Sequence, residues 1–370
     1  MNEATLRAEF PVLETCVYLN SNSTGAMPRG VEHVLARYWN TVRDWRDDAW
    51  GGWLEELDGY VHALSQFLGA PTGTVVTDAN LTTLLGRLAT CFDFGGERTK
   101  VVTTDREFPT VPFLWHGFAR YGAEPVVVDF DTDAVESAID ERTLLVCVAH
   151  GSYTTGAVLD LDRIVERAHR MGALVIVDTF QTVGVVPLHL RALDVDFVLG
   201  GAHKWLCGAH TAFLYARREL LPTLRPAATG WFAGRDPLSF RPAEDWAPDA
   251  RRLAGGTPIP LTAMMSRVGL DLLAQVGAPA IREHSLRCTD LIIERADDAG
   301  IPVRTPRTPH LRGGVVCLRF PGDETVKKRL AGRGMVCSWR EGLRLAPHIY
   351  TTLDEIDAFM DALIAERKAL

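Results

Sequence analysis

The chain has 370 residues, 47% of them hydrophobic and 23% charged, enough for one large core and a smaller one at about 100–200 residues per domain. Thirty-nine Lys and Arg against 47 Asp and Glu leave a net charge of −8, which disfavours a broad electrostatic grip on nucleic acid or on an anionic membrane. Seven scattered cysteines without a C-x-x-C spacing argue against a disulfide framework or a structural zinc site, and with no signal-peptide core and no membrane-length apolar run they point to the cytoplasm.

In chain order, apolar spacing predicts helices over 31–45, 54–68 and 80–92. Short apolar runs at 100–104 and 124–129 read as strands enclosing a helix that carries Trp115. Residues 143–149, 161–171 and 173–177 follow as strand, helix and strand, with Asp160 or Asp162 as the helix cap. A further strand at 196–199 runs into Gly200-Gly201-Ala202-His203-Lys204-Trp205. The Pro-, Gly-, Arg- and Asp-rich stretch 225–260 reads as loop and domain crossing. Beyond it, helices at 261–275 and 278–299, strands at 314–320, 335–339 and 343–345, and a helix at 353–368 form a smaller α/β module. The expected fold is α/β with a mostly parallel sheet, whose strands are apolar throughout because helices cover both faces. Ligands of such sheets gather beyond the carboxyl ends of the strands.

Two of those ends carry opposite charges, Asp178 and, 26 positions later, Lys204. Gly200 and Gly201 permit close backbone approach where a planar ligand would sit. An amine buried near an apolar wall has its charged form disfavoured, which suits a Schiff-base nucleophile. Trp45, Trp50 and Trp53, around Gly51 and Gly52, are candidates for an aromatic substrate wall or for a core anchor.

Val177-Asp178-Thr179-Phe180-Gln181-Thr182-Val183-Gly184, followed by Gly200-Gly201-Ala202-His203-Lys204-Trp205, resembles the class V aminotransferase group of pyridoxal-phosphate (PLP) enzymes, which includes kynureninases, cysteine desulfurases and isopenicillin N epimerases. The resemblance implies an aspartate-aminotransferase-like fold: residues 1–30 reaching the active site, a large PLP-binding domain over 31–250, and a small domain over 251–370. Lys204 matches the lysine that binds PLP and moves protons at Cα. Asp178 matches the partner of the pyridine nitrogen. Gln181 falls where the family hydrogen-bonds the phenolic oxygen of PLP and kynureninases usually carry His. In Asp105-Arg106-Glu107-Phe108-Pro109-Thr110, Phe108 matches the ring-stacking residue of kynureninases. Ala79 and Asn80 correspond to the phosphate cradle at a helix start, where Asn80 is equally a cap.

Trp231 and Thr257 resemble two further phosphate contacts, the second supplied by the neighbouring subunit, so a homodimer is implied. Asn22 and Ser23, within 18–25, look like the kynureninase segment that reaches the substrate carboxylate, and Arg344 matches the arginine that binds it. His203 stands where kynureninases have Tyr; the His-Lys pair is usual in desulfurases, epimerases and several aminotransferases. Tyr153, in the loop 150–156, either faces the substrate or closes the core. A desulfurase needs a cysteine on a mobile loop, and its one candidate, Cys337, sits in a strand-like alternation. The implied function is a PLP enzyme acting on a small α-amino acid through an external aldimine and a quinonoid, cleaving the side chain by β-elimination or Cβ–Cγ lysis. Transamination and epimerisation are the alternatives, ahead of desulfuration or non-catalytic PLP binding, and no metal, nucleic acid or membrane is expected.

Overall fold

The computed structural model describes residues 2–45, 48–241 and 245–370. Among them run the strands β1 (Val17–Leu19), β2 (Val75–Asp78), β3 (Lys100–Thr104), β4 (Glu124–Val128), β5 (Thr143–Ala149), β6 (Leu174–Asp178), β7 (Phe197–Gly201), β8 (Ala212–Ala216), β9 (Val316–Leu318), β10 (Met335–Trp339) and β11 (Leu343–Leu345). A seven-stranded sheet has the order β2-β8-β7-β6-β5-β3-β4, and every pairing is parallel except the two made by β8. Successive residues of a strand point to opposite faces. Val146, Val148, Val175 and Val177 accordingly enter one core, while Leu145, Cys147 and Ile176 enter the other. Both faces are covered, which is why these strands are apolar from end to end.

The expected strand–helix–strand unit is present as β5, helix Leu161–Arg170 and β6. Asp160 is the cap, its side chain accepting from the Arg163 amide. The helix expected from 54 begins at Ala49, with Gly51 and Gly52 in its first turns. Trp53 fixes that start: it is buried against Met264, stacks on Tyr38 at 5.0 Å, and receives Trp45 and Trp50 edge-on. Sequence spacing gives no separate signal for β2 or β8, and the strand expected over 314–320 pairs only as Val316–Leu318.

A four-stranded sheet of order β1-β10-β11-β9 packs with helices Asp323–Ala331 and Leu353–Lys368 around Leu19, Ile292, Leu318, Leu343 and Phe359. Helix Pro260–Val276 sends Ala263, Leu270 and Leu273 into the large core instead. Helix Ala278–Asp298 serves both, with Ile281 in the large core and Cys288 to Ala296 in the small one. Among the described residues no helix is long and apolar enough to cross a membrane.

Candidate active site

The carboxyl ends of the parallel strands converge. Asp178 ends β6, Gly151 follows β5, Phe108 follows β3, Asn80 follows β2, and Lys204 lies just past β7. Together with Asn22, Ser23, Tyr153, Gln181, His203 and Arg344 they line one cavity of about 350 Å³. Ala79 does not line it; its amide donates to Asp78 Oδ1 at 2.6 Å.

Burial sets the protonation of the central groups. Lys204 is pushed down to about 8 by burial, opposed by Asp178 and assisted by the positive charge of Arg344. Its Nζ lies 5.6 Å from the centre of the Phe108 ring and 5.3 Å from that of Phe180. Burial raises Asp178 to about 6, against the Phe180 amide that donates to Oδ1 at 2.8 Å and the charge of Lys204. His203 is depressed to about 4 by burial, then by Lys204 and by His210, on which it stacks at 4.5 Å. At neutral pH it is an uncharged ring.

The amino-terminal segment reaches the site by way of the small sheet. β1 pairs with β10, Asn20 bridges to Ala346, and the Gly25 amide donates to the His203 carbonyl at 2.8 Å. Only glycine fits at 25, because a Cβ there would overlap the carbonyl oxygen of Lys204. Asn22 is held by Ser338 Oγ, which donates to Oδ1 at 3.1 Å, and its backbone carbonyl accepts from Gln181 Nε2 at 3.1 Å. Gly200 and Gly201 serve a different purpose from the one expected: a Cβ on either would strike the protein's own rings, Phe213 and Phe180 respectively. They make room for the protein's own rings, Phe180 beside Lys204 and Phe213 in the large core.

Asn80 caps helix Leu81–Ala89, accepting from the Thr83 amide at 2.9 Å. The first-turn amides that helix geometry leaves unpaired open where Asn80, Leu81 and Thr82 line the cavity, a setting for an anion. On the opposite side, Arg344 donates through Nη1 to the Tyr153 carbonyl at 2.9 Å, while its buried Nε has no partner among the described residues. Gln181 Oε1 and Asn22 Nδ2 are likewise buried and unpaired. These residues fit PLP: a buried carboxylate for its ring nitrogen, an amine of low basicity for its aldehyde, a helix start for its phosphate, and a face of Phe108 that is 48% exposed.

Other expected residues stand elsewhere. Trp231 stacks on Phe240 at 5.4 Å and donates to Thr257 Oγ1 at 3.4 Å, and Thr257 lines a separate cavity of about 660 Å³. The short turn Trp231–Ala233 packs against that second cavity's wall rather than facing Lys204. The tryptophan cluster of 45, 50 and 53 is absent from the lining of the Lys204 cavity and anchors two helices. Cys337 is buried on β10 and pushed up to about 12 by that burial. Among the described residues no group of His, Cys, Asp or Glu could hold a metal.

Phe180, Arg106, Thr110 and Arg340 also line the cavity, beyond the site residues that the sequence suggests. The first three lie inside quoted motifs, next to Asp178 or Phe108. Arg340 precedes the β10–β11 turn, where Glu341 pairs with Arg106 at 3.2 Å, and nothing in its sequence surroundings distinguishes it from a surface charge.

Comparison with known proteins agrees with this geometry. The family model described as aminotransferase class-V matches residues 63–359. An uncharacterized aminotransferase, YcbU of Bacillus subtilis, is 30% identical over 367 residues, 97% of each chain. A kynureninase of Pseudomonas fluorescens is also 30% identical, over 95% of this chain and 89% of its own. In fold, the chain is similar to a cysteine desulfurase of Thermococcus onnurineus (TM-score 0.88, 21% identity, 99% and 98% of the two chains). It is equally similar to a C-DES variant with glycine covalently linked to its PLP cofactor (TM-score 0.90, 19% identity, 97% and 98%). Sequence, fold and the convergence of Lys204 and Asp178 lead to one assignment: the chain belongs to the class-V aminotransferase family of PLP-dependent enzymes.

Proposed function

We propose that the protein cleaves the side chain of a small α-amino acid, by β-elimination or Cβ–Cγ lysis. The observation that carries this reading is the presence in one cavity of an amine of low basicity, a guanidinium for a carboxylate, and a second proton donor, Tyr153. The Tyr153 hydroxyl has no hydrogen-bond partner among the described residues, and its ring stands edge-on to Phe108 at 5.7 Å.

Bound in the cavity, PLP supplies the sink for the electron pair left when a bond to Cα breaks. Asn80 and the start of its helix hold the phosphate, and Phe108 covers the ring. Asp178 holds the proton on the ring nitrogen, and Gln181 keeps one amide hydrogen free for the phenolic oxygen, since its other hydrogen goes to Asn22. Arg344 offers its fork to the α-carboxylate beside Asn22 and Ser23. Lys204, largely neutral above pH 8, takes the proton from Cα. Tyr153 donates to the departing side chain. His203, neutral at working pH, shapes the wall by stacking on His210 rather than acting as a cationic acid.

Transamination is the second reading, favoured by the relative named an aminotransferase and by His203 in place of the kynureninase Tyr. Desulfuration lacks its nucleophile, because Cys337 is locked in the small sheet. We also read the protein as a homodimer in which Thr257 reaches the cofactor of the second subunit; its place outside the Lys204 cavity supports this. The free state of all seven cysteines supports a reducing compartment, the cytoplasm.

The test is to titrate the PLP-loaded protein with a panel of amino acids, following the visible spectrum and the products together, in wild type and Tyr153→Phe. Side-chain fragments released by wild type, with a loss of about 10²–10⁴-fold in the variant, support the proposal. Keto-acid formation with side chain intact, equal in both proteins, refutes it in favour of transamination.

A further inference from the structure

Glu107 is a carboxyl that the proposed chemistry does not use. It is 5% exposed, next in sequence to Phe108, and lies beneath the strand ends. Its two oxygens are treated unequally. Oε1 accepts from the Thr104 hydroxyl at 2.6 Å and from the Ala149 amide at 2.9 Å, whereas Oε2 is buried without a partner among the described residues. An ionised carboxylate spreads its charge over both oxygens, and a buried charged oxygen with no donor is far more costly than a buried hydroxyl. One oxygen with two donors and one with none is the pattern of a neutral acid, carbonyl at Oε1 and hydroxyl at Oε2.

The neighbours lead the same way. Ala149 is in register with Asp178 across β5 and β6, so the Oε1 contact places the Glu107 carboxyl one strand from that of Asp178. The titratable groups facing Glu107 are Asp178 on β6 and the Cys147 thiol on β5; Lys204 faces Asp178, and Arg106 turns away to Asp105 and Glu341. Burial above all, and then Asp178, raise Glu107 to about 8 against the pull of its hydrogen bonds. A buried carboxyl one strand away from the charge of Asp178 is disfavoured in its ionised form, first by burial and then by that like charge.

We infer that Glu107 is a positioning residue: kept as the neutral acid, it pins the β3 end that carries Phe108 to β5 and leaves Asp178 the single buried negative charge at the strand ends. The pinning role rests on the proposed function, through Phe108 and Asp178; the protonation state does not.

The folded chain then holds a proton that the unfolded chain releases near pH 4.5, so the stability this group contributes is lost as pH rises from about 4.5 to about 8. Asp178 adds a slope of the same sign up to about 6, while His150, His203 and His348, depressed to about 4 by burial, and Lys204, lowered to about 8, add slopes of opposite sign. All are common to wild type and a Glu107 variant, so the difference between the two over pH 6–8 belongs to Glu107. Urea unfolding of the cofactor-free full chain, wild type against Glu107→Gln, reads the difference. The expected result is that wild type releases about one proton more on unfolding in that window; identical pH slopes overturn the neutral-acid assignment. Should the variant fold poorly, infrared spectra of wild type with isotope-labelled glutamate serve instead. A labelled carboxylic-acid band at pH 7 that fades towards pH 9 is expected, and its absence overturns the assignment.

Affinity for PLP separates the pinning role. Glu107→Gln keeps an oxygen for the Ala149 amide and Glu107→Ala does not, so the alanine variant is expected to bind about tenfold more weakly than the glutamine variant. Equal affinities overturn the positioning role. If wild type itself binds no PLP, the proposed function and the pinning role fall together, while the unfolding experiment still decides the protonation state.

Discussion

Gly25→Ala tests whether the amino-terminal segment sets the position of Lys204. The added Cβ would overlap the carbonyl oxygen of Lys204 and lie 3.1 Å from its carbonyl carbon and 3.2 Å from Cys207 Cα. All three obstacles are backbone, so no side chain can swing aside; one segment must retreat on the order of 1 Å, as overpacked sites do. That retreat stretches the buried Gly25–His203 hydrogen bond of 2.8 Å. Overpacking at ~1–3 kcal/mol and a weakened buried hydrogen bond at ~1–3 kcal/mol together cost about 2–6 kcal/mol. With a slope of ~3 kcal/mol per molar urea, the unfolding midpoint drops by roughly 1–2 M. Gly96→Ala, whose Cβ meets nothing within 4 Å, is the control and stays within ~0.5 kcal/mol of wild type. Because a 1 Å misplacement of a reacting group costs ~10²-fold, Lys204 in Gly25→Ala also condenses with PLP about a hundred times more slowly. A midpoint matching wild type and the control would refute the close approach, and with it the claim that this segment positions the lysine.

The remaining predictions concern charge. Lys204 in the cofactor-free protein reacts with aldehydes along a pH curve centred near 8 rather than at its ordinary 10.5, because burial disfavours its cation; borohydride trapping at a series of pH values reads the midpoint. Asp178→Asn retains the shape of the site but loses the charge that holds the ring proton, and turnover falls by at least ~10²-fold, measured as product release under saturating PLP. Arg344→Gln weakens amino-acid binding by about 1.5–3 kcal/mol, roughly ten- to a hundredfold in KM, through loss of charge-assisted hydrogen bonds. The effect should be absent for an amine that lacks the carboxylate.

The parts of this molecule legible in its sequence share a physical character. Strands β5 and β6 are buried on both faces and so could only be apolar runs, and Asp178 and Lys204 interrupt such runs with charge where water-facing residues are not otherwise needed. β8 is equally apolar but follows the lysine loop within a dozen residues, and no alternation separates it from its surroundings. The start of the helix at Ala49 was masked by two glycines whose cost is met by the packing of Trp53 on Tyr38. Glu107 and Arg340 were hidden for opposite reasons. A buried acid and a cavity-facing guanidinium are spelled with the same letters as surface charges, and only the fold distinguishes them. Trp231 and Thr257 stand out by motif likeness, and within one chain the fold sets them away from Lys204.

The reversed strand β8 acts as a calliper. Ala212 is in register with Asp78 on one side and with Gly201 on the other, so the Asn80 end and the Lys204 end of the cavity hang from a single rung two strand spacings wide, roughly 10 Å. That gauge is set by hydrogen-bonded register and not by loop tension. A one-residue slip of β8 in that register would slide one jaw by about 3.3 Å and exchange its side chains between the two cores. Insertions or deletions within β8 itself are therefore the length changes this site tolerates least.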